Sequence, residues 1–474
     1  MKMNSAISAL LALATAVPLG AEAVEARPSS PPALSPSALT LEALAGQLDR
    51  LQAAAGDGLV WTVNIDLRCD YAPYKLTAKE QAGSAKQPLV HYGLTSTAGA
   101  GALSDAPANG YAGAYVRRLD LGATGKLSSW ALLGAQIDLV GLKLEDTGVT
   151  LKGLPLLPGL VLPGYAWDAR IGVYRQPFGI ENQVSASSIV FPERAILNGG
   201  YCPAAFSAST PTKLVYERIV GAQLDTGHSY GAVAYKVQVA VADDQKDQDA
   251  GSSSTLGAFG GALSSTTTYT AGTATAPSLG LTTDQDPSEF ARVGIDLDFF
   301  PQWAALNLGA SAIHNPCDTA LLSTSGTSQS WQDTYGFDGS LDIPAAQTKL
   351  QAEWVAQNSF SNASGAGLLT NRAEGWYVQS STRPLAFFDG RLSGLELNLR
   401  LESVTPNVNM ASAPGQGPAA QFTATSVQAN TVALKYSYKG KTYTSVNYSN
   451  YALNGNYKAV AGSSLLSVQQ QFNY

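Results

Sequence analysis

From Leu59 onward the chain alternates apolar and polar residues, and it does so through almost its whole remaining length. Leu59, Trp61, Val63, Ile65 and Leu67 share one side, with Thr62, Asn64, Asp66 and Arg68 on the other. Val293, Ile295, Leu297 and Phe299 oppose Arg292, Asp296 and Asp298, and Leu395, Leu397, Leu399 and Leu401 oppose Glu396, Asn398, Arg400 and Glu402. A period of two is the side-chain period of an extended strand. It excludes helix bundles. About sixteen segments read this way, among them 113–124, 128–140, 165–175, 212–224, 229–242, 347–357 and 373–383, with the weakest at 147–153.

The connectors restrict how these strands assemble. Short ones (125–127, 225–228, 301–302, 344–346, 385–390, 439–440) alternate with long ones (69–112, 176–211, 243–288, 315–331, 359–372, 405–424, 452–462). Consecutive antiparallel strands then carry tight turns at one end and long loops at the other. A sheet whose two ends both meet water has no physical reason to sort its loops. A transmembrane β-barrel does, because one end faces the periplasm and the other the exterior. Charged residues are only 14% of the chain, against about 25% in ordinary soluble domains, so an apolar outer surface is expected. Trp61, Tyr165, Trp167, Trp303, Tyr335, Trp376, Tyr436 and Tyr438 lie near segment ends, where interfacial girdles sit. The fold expected is all-β: an antiparallel up-and-down barrel over 57–474, built from about sixteen strands. The rival all-β reading is a surface-exposed sandwich that binds or adheres without conducting; it predicts loops of mixed length at both ends.

Residues 1–26 read as a cleaved export signal, with Lys2, an apolar run 6–19 and small residues at Ala21 and Ala23. Residues 27–38 form a Pro/Ser linker. Leu41, Leu44, Leu48, Leu51 and Ala55 then mark a short heptad helix over 39–56. Two readings of that helix stand open: packing on the barrel, or a small oligomerising bundle. No later stretch approaches the roughly 18–20 apolar residues of a membrane helix. A net charge of −7 excludes a general nucleic-acid binder.

The segment 171–195, IGVYRQPFGIENQVSASSIVFPERA, resembles the phosphate-selective porin O/P family through Pro177, Phe178, Gly179, Glu181, Ser187, Ser188, Phe191, Glu193 and Arg194. YVRRLDLG at 115–122, ERIVGAQL at 217–224 and WYVQSS at 376–381 are weaker matches. The closing alternation Leu466, Val468, Gln470, Phe472, Tyr474 is similar to the aromatic-ended last strand of outer-membrane barrels. The resemblance implies an outer-membrane homotrimer of sixteen-stranded, lipid-embedded barrels. Each would pass small hydrophilic solutes or ions by diffusion and be narrowed by a long loop folded inward. The natural candidate for that loop is 176–211, with Glu181, Glu193 and Arg194 as its charged groups. Pro177 ends strand pairing and Gly179 permits the bend. The plainer reading is a surface loop holding a Glu193–Arg194 salt bridge.

Alternation assigns Arg68, Arg118, Arg170, Lys236, Arg292, Lys349, Arg400 and Lys435 to the inward face. The same reasoning turns Asp66, Asp120, Asp138, Asp168, Asp296, Asp298, Asp338, Asp342, Glu353, Glu396 and Glu402 inward. The basic residues do not outnumber the acidic ones, so no anion ladder is expected. Acids two residues away on the same face (Asp66/Arg68, Arg118/Asp120, Asp168/Arg170) are expected to screen the arginines. Cys69, Cys202 and Cys317 fall in long connectors, where one pair is able to bridge in an oxidising compartment. His91, His228 and His314 stand in unrelated contexts, and no nucleophile or zinc spacing accompanies them. Neither catalysis, a cofactor nor a metal is expected. The acids of 243–249 (DDQKDQD) read as a solvated loop.

Overall fold

A computed structural model describes residues 59–72, 111–139, 143–154, 167–185, 188–198, 214–215, 218–243, 287–300, 303–315, 330–363, 367–387, 391–405, 426–438, 442–454 and 463–473. The expected signal, linker and helix (1–26, 27–38, 39–56), His91, Cys202 and Cys317 lie outside them.

Sixteen strands and one two-residue bridge, Lys143–Leu144, form a single sheet. In chain order the strands are β1 Leu59–Ala72, β2 Tyr111–Lys126, β3 Ala131–Asp138, β4 Thr147–Leu154, β5 Trp167–Arg175, β6 Arg218–Tyr230, β7 Val233–Asp243 and β8 Ser288–Phe300. They continue as β9 Ala304–Asn315, β10 Ser330–Ile343, β11 Thr348–Ala363, β12 Gly367–Thr382, β13 Leu395–Thr405, β14 Ser426–Tyr438, β15 Thr442–Asn454 and β16 Ser463–Asn473. Every strand pairs antiparallel with its sequence neighbours. Strand β16 returns to β1, with Phe472 opposite Ile65 and Gln469 opposite Arg68. The sheet is a closed barrel without an unpaired edge, which is the only sheet form whose backbone groups are all satisfied in hydrocarbon. Among the described residues no helix is long and apolar enough to cross a membrane.

Exposure shows which row faces out. On β13, Leu399 and Leu401 are 44% and 52% exposed, whereas Arg400 and Glu402 are 4% and 3% exposed. Val293, Ile295, Val432, Leu434 and Val446 are exposed in the same way. In a soluble sandwich these rows would be reversed, since the apolar side chains form its core. Trp130, Tyr230, Trp303 and Tyr438 stand exposed near the tight-turn end, Tyr335 is exposed nearer the other, and Trp376 and Tyr448 are exposed farther along their strands.

Several boundaries differ from expectation. The strand expected at 212–224 begins at Arg218 and runs to Tyr230. Leu214 and Val215, expected within it, belong instead to the inserted segment, where their amides donate to the Leu197 carbonyl. The turn expected at 225–228 lies at Gly231-Ala232, between the paired residues Tyr230 and Val233. Gly231 takes φ +60°, the left-handed value that a two-residue hairpin demands at its first central position. The long connector expected at 359–372 shrinks to 364–366, because β11 and β12 pair as far as Ala363 and Gly367. Conversely, the short 385–390 becomes 383–394 and includes a 3-10 turn, Arg391–Gly394. A further connector, 155–166, also stands at the tight-turn end. Loop sorting therefore holds as a tendency with these exceptions. Cys69 lies within β1, not in a connector, and faces Val468 of β16.

Candidate functional site

After Arg175 the chain leaves the wall. Pro177 offers no N–H to continue the ladder, and Gly179 adopts φ +61°. The next residues form short 3-10 turns, Glu181–Gln183 and Ile196–Asn198. Their contacts locate them. The Gly179 amide donates to Ser311 Oγ of β9 at 3.2 Å. The Ile196 amide donates to Glu402 Oε2 of β13 at 2.6 Å. Asn198 Nδ2 lies 3.4 Å from Glu353 Oε2 of β11, and Arg117 Nη2 of β2 donates to Glu193 Oε2 at 2.8 Å. One segment reaches strands distributed around a closed barrel only from within it. The segment lies in the lumen.

Close packing seats it there. Phe178 is fully buried against Gly336 of β10, where an added Cβ would stand 2.5 Å from Phe178 Cζ. At Gly179 a Cβ would meet Glu353 Oε1 at 2.0 Å, in addition to the left-handed backbone. Gly336 is thus required by the close approach of the Phe178 ring, and Gly179 by its left-handed backbone.

Charged groups complete the attachment. Glu193 bridges Arg68 of β1 and Arg117 of β2. Arg194 donates to the carbonyls of Glu181 and Val184, the latter at 3.0 Å. These contacts tie Glu193 and Arg194 to the barrel wall and to the segment's own backbone. Glu181 Oε2 accepts from the Ala195 amide at 2.8 Å and from Asn198 Nδ2 at 3.0 Å. Arg400 is the central clamp. Its Nη1 donates to the Glu193 carbonyl at 2.9 Å and its Nη2 to the Arg194 carbonyl at 3.2 Å. The same guanidinium lies 3.6 Å from Glu181 Oε1 and 3.2 Å from Glu402 Oε1, and stacks 4.6 Å from the Phe191 ring centroid. A planar, multi-donor cation suits this many-sided role, and a point-charge lysine does not.

Register carries one face around the barrel, since residues directly opposite on neighbouring strands point to the same side. Starting at Asp66 and Arg68, the row includes Arg118, Asp120 and Asp138. It continues through Arg170, opposite Gln223. Lys236 and Gln238 follow on β7, the latter opposite Arg292. Asp296 stands opposite Asn307, Lys349 opposite Asp342, Arg400 opposite Gln379 and Lys435 opposite Glu396. Ten residues assigned inward by alternation, Arg68, Arg118, Asp120, Arg170, Lys236, Arg292, Asp296, Lys349, Arg400 and Lys435, share this row and are taken as the wall residues. They differ in accessibility. Arg68, Asp120, Arg292 and Arg400 are buried, Arg118, Arg170 and Lys435 half-buried, and Lys236, Asp296 and Lys349 exposed.

Screening also draws on partners beyond the expected pairs. Arg68 Nε lies 3.3 Å from Asp70, Asp66 is met by Arg117 at 3.6 Å, and Arg118 lies 3.7 Å from Glu145. Arg292 forms a bidentate pair with Asp338, two strands away.

Strict alternation would have sent Arg117 into lipid. A register shift at Asp66/Leu67 makes Arg117 the extra residue of a β-bulge, so Arg117 and Arg118 both reach inward. The adjacent Arg-Arg of YVRRLDLG was the available signal. Asn198, Ser311 and Tyr377 carried none. Tyr377 donates to Glu353 Oε2 at 3.1 Å and accepts from Gln351 Nε2 at 2.6 Å.

Among solved structures the chain is similar to OprB of Pseudomonas putida, at 9% identity and TM-score 0.48, over 91% of this chain and 97% of that one. It is also similar to the outer-membrane channel DcaP of Acinetobacter baumannii, at 11% identity and TM-score 0.46, over 89% and 98%. An anion-selective porin from Comamonas acidovorans shows 12% identity and TM-score 0.45, over 88% and 99%. No curated protein matches the chain by sequence. The family match is what decides membership: phosphate-selective porin O and P is matched over residues 103–384, more than half of the chain and including the whole inserted segment, and the chain belongs to that family.

Proposed function

We propose that the protein is a passive channel of the outer membrane for small hydrophilic solutes and ions, working without catalysis or a cofactor. The observation that carries this is the segment 176–198 lodged inside a closed barrel whose exposed rows are apolar. An adhesin has no use for a hollow, polar-lined wall.

The inserted segment is bonded to β1, β2, β9, β11 and β13. Solutes pass on the side of β6–β8, where Asp225 is half-buried and Lys236 and Asp296 are exposed. The ten wall residues and Glu181, Glu193 and Arg194 divide the work. Buried Arg68, Arg292, Arg400, Glu181 and Arg194 hold the narrowing in place. Exposed Lys236, Asp296 and Lys349 set the field that a passing ion meets. Asp298 and Asp342 are exposed on the same row, so the exposed charges are of both signs with acids slightly ahead, and the channel is general or mildly cation-preferring. Phosphate selectivity in the family's name is not transferred, since it requires basic residues grouped at the passage. The family also supports a homotrimer in outer-membrane lipid, exported through a signal removed near residue 26.

Single-channel recording in planar bilayers across a KCl gradient tests this reading. Conductance with a reversal potential near zero or slightly cation-biased is expected. A strongly anion-biased potential, with phosphate outcompeting chloride, would reject the selectivity. The absence of conductance from correctly folded barrel would favour the adhesive alternative.

A further inference from the structure

Asp120 of β2 and Asp138 of β3 stand directly opposite each other on the inward row. Both are buried, at 3% and 5% exposure. Like charges directly opposed across a ladder are destabilising, and burial increases that penalty unless something neutralises them. Among the described residues, Asp120 Oδ1 accepts no hydrogen bond. Glu145, in the connector after β3, adds a third carboxylate, and oxygens of the three residues lie within 4.8 Å of one another. Two guanidinium groups reach this cluster from its Glu145 side. Arg218 Nη2 lies 2.8 Å from Glu145 Oε2 and Arg118 Nη1 lies 3.7 Å from Glu145 Oε1. Glu145 Oε2 also accepts from Gln136 Nε2 at 3.0 Å. Lys143 stands opposite Asp138 in the ladder, whereas Asp120 keeps a buried acceptor without a hydrogen-bond partner among the described residues.

We infer that Asp120, Asp138 and Glu145 bind a divalent cation, and that the cation is Ca²⁺. Oxygen ligands sit about 2.3–2.6 Å from Ca²⁺, so ligands across the ion stand about 5 Å apart; for Mg²⁺ the corresponding span is about 4 Å. Separations within 4.8 Å let the three carboxylates converge on one ion, and Ca²⁺ accepts an irregular carboxylate set where Mg²⁺ demands a near-ideal octahedron.

The site lies at the root of the inserted segment. Asp146, next to Glu145, is approached by Arg218 Nε and by Arg175 Nη2, each at 3.4 Å. Arg175 Nη1 in turn donates to the Val184 carbonyl within the segment at 2.8 Å. A bound ion therefore braces the connector that holds Arg175 and, through it, the base of the luminal segment.

The test is isothermal titration of the folded, detergent-solubilised protein, stripped with EDTA, using CaCl2 and, in parallel, MgCl2. One Ca²⁺ site with Kd of about 10⁻⁴–10⁻³ M is expected, with weaker Mg²⁺ binding. Asp120→Asn/Asp138→Asn should abolish it while the barrel keeps its heat-modifiable gel mobility. If that variant does not fold, Glu145→Gln takes its place and should weaken Ca²⁺ binding at least tenfold. Wild-type protein that takes up no stoichiometric Ca²⁺ would overturn the inference, and the opposed aspartates would then share a proton. An isotherm unchanged in either folded variant would also overturn it, by placing the ion elsewhere.

Discussion

Arg117 of β2, the extra residue of a β-bulge, sets its Nη2 2.8 Å from Glu193 Oε2, 76 residues later in the chain and inside the barrel. Arg68 of β1 holds the other oxygen of the same carboxylate. One acid thus ties the far end of the luminal segment to the two wall strands that follow the closing seam.

Removing this acid leaves Arg68 and Arg117 without their shared partner and the lumen with one negative charge fewer. Glu193→Gln should shift the reversal potential toward anions and increase open-channel current noise, as the segment loses charge-assisted bonds worth about 1.5–3 kcal/mol each. Bilayer recordings matching wild type in both respects would refute the anchoring role.

Phe178 fills the space left open by Gly336. Phe178→Ala should destabilise by about 3–5 kcal/mol, the range for a buried phenylalanine cavity, and raise single-channel conductance as the segment loosens. Chemical unfolding in micelles and conductance histograms read the two effects separately.

The bidentate pair of Arg292 and Asp338 spans β8 and β10 beside Ser311, which also supports Gly179. Truncating either partner alone should cost about 3–5 kcal/mol by leaving a buried charge unpaired. Arg292→Met with Asp338→Leu should recover much of that loss. A double variant as unstable as the sum of the singles would show that the two do not couple.

Exposure decides which charges ions feel. Lys236→Glu should move the ion preference toward cations, whereas Lys435→Gln, at a half-buried position stacked 4.0 Å from the Tyr443 ring, should change it less. Reversal potentials in the same KCl gradient compare the two directly.

The outward rows supply a test of the membrane orientation itself. Val432→Arg puts a charge among exposed apolar side chains of β14 and should destabilise the protein in bilayers by about 2–4 kcal/mol. A value near zero would place that face in water.

Much of this was legible along the chain. Alternation around Val293/Arg292 and Leu399/Arg400 already separated the lipid-facing row from the luminal row, because a strand sends successive side chains to opposite sides whatever it pairs with. The strand, its faces and the barrel class are thus local properties. Boundaries were less secure. Leu214 and Val215 are as apolar as any strand residue, yet they pair with Leu197 inside the lumen, and nothing local distinguishes the two uses.

Alternation also failed at Arg117, where one inserted residue changes the register only in relation to β1. The meeting of Glu193 with Arg68 and Arg117, of Ile196 with Glu402, and of Asp120 with Asp138 depended on closure of the ring. Periodicity states which side of its own strand a residue occupies. Which distant residue meets it there is decided by register, bulges and the path of the inserted segment, and these exist only once all sixteen strands are paired.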